Sequence, residues 1–572
     1  MYLKLIKIRN FRKLKAVECS FNSGLNLIVG PNDSGKTTVI DAIRFTLRQV
    51  VDDYYRISQD DFNDSDLEIS VDLTFSFDDY SENNLIIEAA LFAEYLSFTS
   101  DNKPELKIWY TIKSNEKDIR FPEFKVGPTK DIAVDMDARC RENLKVVYLR
   151  PLRDAENELK AKQGSRISKI LSNHKDINTA KNELVELLEK FKIESEKFFE
   201  EKNGRFVVNE IRRLLKIFDE QSTKEEKKIK FGPTEKLDYL KTLEKIALYY
   251  PDLPNPGLGT LNMISIAAEL LHLNTQRAPK LILIEEIEAH LHPQRQLKII
   301  KALQEESKKG IQMIITTHSP NLASVIDVER LNLCHEGQFF SLAKGNTELA
   351  EKNYLYLGRF LDVTKANLFF AQGILLVEGP TEQLLLPEFA RILGYNLTDY
   401  GISVISTNGL GFENFVNIFK RKRSPYNQIP VAVVTDADKK NKIGIDNYIN
   451  QFKNENNKVY CFVGEQLYSE NELDPDIGKK TTFEKIIFKK TIRLKKIYIE
   501  SYNFLYKSKE SIMEDDVDFE KFYNKIRSKK APVAQEVAQR LSFLIEDEKL
   551  AIKEEIENDL IYIAVAIKFL VS

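Results

Sequence analysis

The chain has 572 residues, 43% of them hydrophobic and 30% charged, with a formal net charge of -3. That length excludes a single core and predicts two or three domains, and the composition is that of a soluble globular protein. The near-zero net charge excludes a global electrostatic pull toward nucleic acid and leaves only local patches for that purpose. Four scattered cysteines (Cys19, Cys140, Cys334, Cys461), with no C-x-x-C pair, argue against a zinc ribbon or a disulfide framework and for a reducing, cytoplasmic compartment.

In chain order, Leu3, Leu5, Ile6 and Ile8 interleave with Lys4, Lys7 and Arg9, which predicts a strand rather than a signal peptide. The apolar run Leu25-Asn26-Leu27-Ile28-Val29 then leads into Gly30-Pro31-Asn32-Asp33-Ser34-Gly35-Lys36-Thr37, with Thr38 to Ile43 suited to open a helix. A P-loop needs glycines so that backbone N–H groups reach phosphates, a lysine for the β and γ oxygens, and a Ser or Thr for magnesium. Gly30, Asn32, Asp33, Ser34, Gly35, Lys36, Thr37 and Thr38 are therefore the expected ATP-binding residues, with Thr37 on the metal.

Leu67, Ile69, Val71, Leu73, Phe75 and Phe77 alternate with polar residues as a half-buried strand does, and Ile108 to Ile112 adds another β-rich run. Between Pro151 and Pro233 there is no proline, and Ile167, Ile170, Leu171, Leu184, Leu187, Leu188 and Phe191 recur at helical spacing. This helical insertion reads equally as a solvated hairpin or a dimerisation arm.

A turn-rich break, residues 251–259, precedes alternating strands and helices from Leu281 to about residue 345. Leu281-Ile282-Leu283-Ile284 ends in Glu285 and Glu286, a Walker B arrangement in which Glu285 holds the metal and Glu286 is the base for the attacking water. Ile314-Ile315-Thr316-Thr317 ends in His318, positioned to sense the γ-phosphate.

A second α/β unit opens at Gly373. Gly373 to Val377 ends in Glu378-Gly379, with Glu382 four residues on, and Val431 to Thr435 ends in Asp436-Ala437-Asp438, with the glycine turn Asn408-Gly409-Leu410-Gly411 between them. Carboxylates at several strand ends, without His or Cys, suit magnesium or manganese and in-line phosphoryl chemistry. The basic runs Lys420 to Arg423 and Lys489 to Lys496 are solvated surface or phosphate contacts. The terminal apolar run from Leu560 is interrupted by Lys568 and too short for a membrane span.

The first set of motifs resembles ABC-type ATPase heads of the SMC and RecF group. There Asn10-Phe11-Arg12 matches an N-F-R element whose arginine approaches nucleotide, Gly257-Leu258-Gly259-Thr260 takes the place of a signature loop lacking its serine-glycine-glycine core, and Gln59 is the candidate magnesium-contacting glutamine. The second set resembles the Toprim fold. A head followed by a Toprim domain is similar to the OLD (overcoming lysogenization defect) nucleases, including those of Gabija-type defence systems.

That resemblance implies an α/β fold class: an ATPase N-terminal lobe at 1–154, a helical insertion at 155–250, an ATPase C-terminal lobe at 251–365, and a Toprim domain with a helical C-terminal part at 366–572. It implies a two-metal DNA endonuclease using Mg2+ or Mn2+ besides Mg-ATP, with Glu378, Glu382, Asp436 and Asp438 on the metals and Glu470 as a further ligand. Lys530, with Lys529 as its rival, matches the family's K-x-x-x-A-Q lysine and would stabilise the transition-state phosphate. It also implies anti-phage defence, a homodimer or tetramer, and a partner that is a helicase-like protein or a reverse transcriptase with its DNA product. The alternative is a RecF-like or SMC-like DNA-binding repair ATPase without nuclease activity; a topoisomerase lacks room for its DNA-gating domain.

Overall fold

The computed structural model describes residues 1–47, 57–77, 88–115, 118–119, 122–138, 141, 143–144, 146–149, 166–173, 175–201, 204–218, 239–244, 246, 257–274, 280–409, 411–436, 445–464, 482–506 and 519–572. The chain divides into two compact units. One comprises Met1–Val146, Leu281–Glu288 and His292–Ser572, and the other Val147–Lys280 with Ala289–Leu291.

Three sheets organise the larger unit. The first is antiparallel and runs Val134–Asp135, Glu123–Val126, Pro104–Ile112, Ile69–Ser76, Tyr2–Phe11, Leu14–Ser20, with Leu96–Phe98 added beside Pro104–Ile112. The alternation from Ile69 to Phe75 forms the expected strand, but Ser70 and Ser76 are buried as well, because the strand is central, flanked by Tyr2–Phe11 and Pro104–Ile112. Leu67, which shares the alternation, lies outside the strand and is 57% exposed.

The second sheet holds four mutually parallel strands in the order Leu281–Glu285, Gln312–Thr317, Leu25–Val29, Leu331–His335, with Gln338–Ser341 antiparallel at its end. Their near-continuous apolar runs are what strands covered on both faces require. The Walker B and P-loop strands are thus separated by one strand, the one that delivers His318.

The third sheet is fully parallel, in the order Ile402–Ser406, Gly373–Val377, Val431–Thr435, Val459–Val463. Glu378 and Asp436 therefore leave the same end of two neighbouring strands. Helices from Phe483 onward pack here, and Ile561–Val571 buries Ile563, Ile567 and Leu570 in the same core as Leu375 and Val434. No helix among the described residues is long and apolar enough to cross a membrane.

The second and third sheets are joined through the basic run at 420–423. Lys420 is buried, its Nζ donating to Gln451 O at 2.7 Å, and Arg421 donates to Phe339 O at 3.0 Å with its guanidinium 5.1 Å over the Phe340 ring. Backbone bonds Glu348 N to Lys420 O and Lys422 N to Asn346 O complete the joint. Two of the four basic residues are thus committed to the fold, and only Lys422 and Arg423 are exposed. Arg421→Ala is expected to cost about 1.5–3 kcal/mol, the worth of a buried bond from a charged donor, seen as an earlier unfolding transition by Trp109 fluorescence and circular dichroism.

In the smaller unit lie the helices Arg166–Asn173, Lys175–Thr179, Lys181–Glu201, Arg205–Phe218, Tyr239–Leu243 and Leu258–Asn274. Helical periodicity between 166 and 218 is met, yet Leu187, Phe191 and Ile193 are more than half exposed. Gly259, in the first turn of the last helix, meets the 289–291 turn: a Cβ there would fall 2.7 Å from His290 O, so only glycine fits.

Candidate nucleotide and metal sites

The P-loop leaves its strand through Gly30 at φ +151°, where a Cβ would lie 2.0 Å from Cys334 O, and enters the helix Lys36–Thr46 through Gly35 at φ +111°. Both glycines are required, one for close approach and one for a left-handed backbone. Asp33 is also left-handed at φ 58°. The loop is braced from below by the strand Leu331–His335, with Cys334 Sγ and Gly337 N donating to Ser34 O at 3.0 and 2.9 Å. Burial pushes the Cys334 thiol up to about 12, so it serves as a neutral donor.

Lys36 folds back on the loop, donating to Gly30 O at 2.9 Å and Pro31 O at 2.6 Å. Its pKa is lowered by burial, against the pull of Cys334, Glu286, Glu288 and Asp33. The hydroxyl of Ser34 is buried without a partner among the described residues, Thr38 is buried, and Thr37 and Asn32 are exposed. A cradle of left-handed backbone, a lysine bonded to two carbonyls and a buried hydroxyl with no partner among the described residues fit a polyphosphate.

Glu285 closes its strand buried, and Glu286 turns out of it at φ 46°, anchored by its N–H on Thr316 O at 3.0 Å. Glu286 Oε1 lies 3.3 Å from His318 Nε2, and His318 N donates to Glu288 Oε1 at 2.5 Å. The structure therefore brings Glu286, Glu288, His318 and Lys36 to one mouth; Glu288 carried no separate signal in the sequence. The N-F-R element closes the strand Tyr2–Phe11 and opens the turn after it. Asn10 spends its side chain on Asp64 N, Asp64 O and Leu67 O, while Arg12 is held by Asp41 at 2.7 Å and Asp61 at 2.8 Å. Asn10 thus staples the 61–67 segment, and Arg12 ties that segment to the P-loop helix. Gln59 accepts from Ser114 Oγ at 3.0 Å.

At the third sheet, Glu378 Oε1 accepts from Thr435 Oγ1 and, at 3.4 Å, from Asp436 N. Asn408 and Gly409, both left-handed, bring Gly409 N onto Glu378 O at 3.0 Å. Glu382 is buried in the first turn of the helix Pro380–Leu393. Its carboxyl is pushed up to about 7 by burial, with Glu484 and Glu378 adding to the shift and Lys530 opposing it. Lys530 Nζ donates to Glu484 Oε2 at 2.9 Å, and Thr381 Oγ1 donates to Glu484 Oε1 at 3.2 Å. Burial alone would lower the Lys530 pKa, but Glu484 and Tyr523 outweigh it and the ammonium ends above its ordinary value. Lys529 points its charge elsewhere, 4.0 Å over the Tyr506 ring.

Asp438 and Glu470 lie outside the described residues. Among the described residues no three His, Cys, Asp or Glu side chains already form a metal cage. The donor set nonetheless fits a hard divalent cation: it is all oxygen, and Glu382 is a buried acid crowded by two further carboxylates, a place where a cation can replace a proton.

Among family models, one described as "AAA domain, putative AbiEii toxin, Type IV TA system" matches residues 25–324, more than half of the chain. The chain belongs to this AAA-domain family. Residues 369–438 of the same polypeptide match the "Overcoming lysogenization defect protein-like, TOPRIM domain". The AAA-domain protein is 26% identical to "Endonuclease GajA" of Bacillus cereus over 536 residues, covering 82% of this chain and 88% of that one. It is 26% identical to "OLD nuclease" of Thermus scotoductus over 459 residues (76% and 82%), and 23% identical to "Retron Vc95 probable ATPase" of Vibrio cholerae over 442 residues (67% and 82%).

Beyond the residues that match the Toprim model, the charged residue missed from sequence is Glu484. It is 3% exposed, in the first turn of the helix Phe483–Lys490, and pairs with a lysine 46 positions away. An acid in a first helical turn is ordinary; the available signal was its apolar surroundings, Phe483 and Ile486-Ile487-Phe488.

Glu382 gives this domain a pH signature. The folded carboxyl ionises near 7 and an unfolded one near 4.3. Between those values the folded state binds more protons, so stability falls as pH rises through that window. The span amounts to about 4 kcal/mol at 1.36 kcal/mol per pKa unit. In EDTA, wild type is expected to lose stability from pH 5 to pH 8 relative to Glu382→Gln, measured by denaturant unfolding at both pH values. Equal pH slopes in the two proteins would contradict this.

Proposed function

We propose that this protein is a nucleotide-gated, metal-dependent DNA endonuclease that acts in defence against phage. The observation that carries the reading is the meeting of Glu378, Glu382, Asp436, Glu484 and Lys530 at one end of a parallel sheet, in a chain that also holds a complete P-loop. Its relatives named endonuclease GajA and OLD nuclease support the same activity.

In this reading Glu378, Glu382 and Asp436, together with Asp438 and Glu470, hold two divalent cations. Bound Mg2+ or Mn2+ would polarise the scissile phosphate and supply a metal-bound water of lowered pKa. Lys530, kept protonated and aimed by Glu484, neutralises charge that develops on the phosphate. At the other site Gly30, Ser34, Gly35 and Lys36 cradle the ATP phosphates, Thr37 and Glu285 take its magnesium, and Glu286, steadied by His318, accepts a proton from the attacking water. The exposed apolar residues of Lys181–Glu201 fit a dimerisation arm, giving a homodimer or tetramer. A helicase-like protein, or a reverse transcriptase with its DNA product, is the proposed partner.

Supercoiled plasmid incubated with the protein and Mg2+ or Mn2+ tests this. Nicked or linear product, suppressed by EDTA and lost in Asp436→Ala, is expected. ATP turnover stimulated by DNA, with no strand cut under any metal or nucleotide condition, would instead indicate a DNA-binding repair ATPase.

A further inference from the structure

The strand Val431–Thr435 is an apolar run until its last residue. Thr435 is 2% exposed, and a hydroxyl buried so deeply is costly unless it is hydrogen-bonded. Its partner follows from the register. Leu376 pairs with Val433 across the parallel strands, so two residues further on Glu378 stands beside Thr435. Thr435 Oγ1 donates to Glu378 Oε1, and Asp436 N donates to the same oxygen at 3.4 Å.

Glu378 is held from the other side as well, through its main chain. Thr407 N and Oγ1 donate to Val377 O at 2.9 and 3.3 Å, and Gly409 N donates to Glu378 O at 3.0 Å. One neighbouring segment thus fixes the backbone at 377–378 and the other fixes the carboxylate.

We propose that Thr435 is a positioning residue for the metal centre: its hydroxyl commits one oxygen of Glu378 to the protein and so presets the carboxylate for a divalent cation. This rests on the reading of Glu378 as a metal ligand. A carboxylate that must first be oriented binds its ion more weakly, because the ordering cost falls at the moment of binding. Partners of this kind typically account for 10–100-fold in metal affinity or activity. Thr435→Val keeps the shape and removes the donor, whereas Thr435→Ser keeps the donor.

The test is Mn2+ binding to the full chain without nucleotide, by isothermal titration calorimetry, beside Mn2+-dependent plasmid cleavage. Thr435→Val is expected to weaken Mn2+ binding by about 10–100-fold, and Thr435→Ser to stay close to wild type, with ATP hydrolysis unchanged in both. Thr435→Ala is a second donorless variant should valine disturb the strand. Wild-type Mn2+ affinity in the donorless variants, or equal loss in Thr435→Ser, would overturn the inference. If Glu378→Ala also binds Mn2+ like wild type, the reading of Glu378 as a ligand fails first and takes this inference with it.

Discussion

Glu378→Ala is expected to abolish metal-dependent strand cleavage, a loss on the order of 10³-fold or more, while ATP hydrolysis stays at the wild-type rate. The carboxylate sits at the end of Gly373–Val377, where Thr435, Asp436 N and Gly409 N all converge on the same residue. Removing it takes the Glu378 oxygen away from the Thr435 hydroxyl and also relieves the repulsion that helps to raise the Glu382 pKa. The two effects on stability oppose each other, so the loss should be one of chemistry rather than of folding. Strand cleavage and ATP hydrolysis measured on one preparation decide it. Cleavage within about tenfold of wild type would place Glu378 outside the catalytic machinery, since removal of a transition-state contact typically costs more.

Lys36→Ala should lower ATP turnover by about 10²–10³-fold, the usual size of losing one transition-state charge contact, and erase the nucleotide response of cleavage. Among the described residues Lys36 donates to Gly30 O and Pro31 O, and its pKa is already lowered by burial. A triphosphate offers a better partner for the ammonium than two carbonyls do. Lys36→Arg is not expected to rescue, because a planar guanidinium differs in size and geometry from the compact charge this loop encloses. Binding of a fluorescent ATP analogue, with turnover, checks both variants. Turnover within a few-fold of wild type in Lys36→Ala would remove this loop from the chemistry.

Local patterns made much of this legible in the sequence. The P-loop strand, its helix and the Walker B strand follow from apolar runs ending in glycine or acid, and Glu378 and Asp436 from buried runs that stop at a carboxylate. Contacts remote in sequence were not legible. Glu484 looks like any first-turn acid until Lys530, 46 residues on, is seen to bond to it. Lys420 and Arg421 read as a surface charge run, yet a buried joint absorbs them, because nothing in a basic tetrapeptide reports that Phe339 O and the Phe340 ring await it. Asn10 carries a family-like motif whose side chain is spent on loop backbone. The strand alternation overshot at Leu67, since periodicity does not say where strand pairing stops.

The most direct measurement is cleavage of supercoiled plasmid across an ATP titration, with Mg2+ or Mn2+ fixed, for wild type, Lys36→Ala and Glu378→Ala side by side. Two separate sites in one chain, one cutting and one gating, predict that wild-type cleavage changes with ATP, that Lys36→Ala cuts at a rate indifferent to ATP, and that Glu378→Ala does not cut at any ATP concentration. An unaltered ATP response in Lys36→Ala, or metal-dependent cutting that survives in Glu378→Ala, would contradict the account.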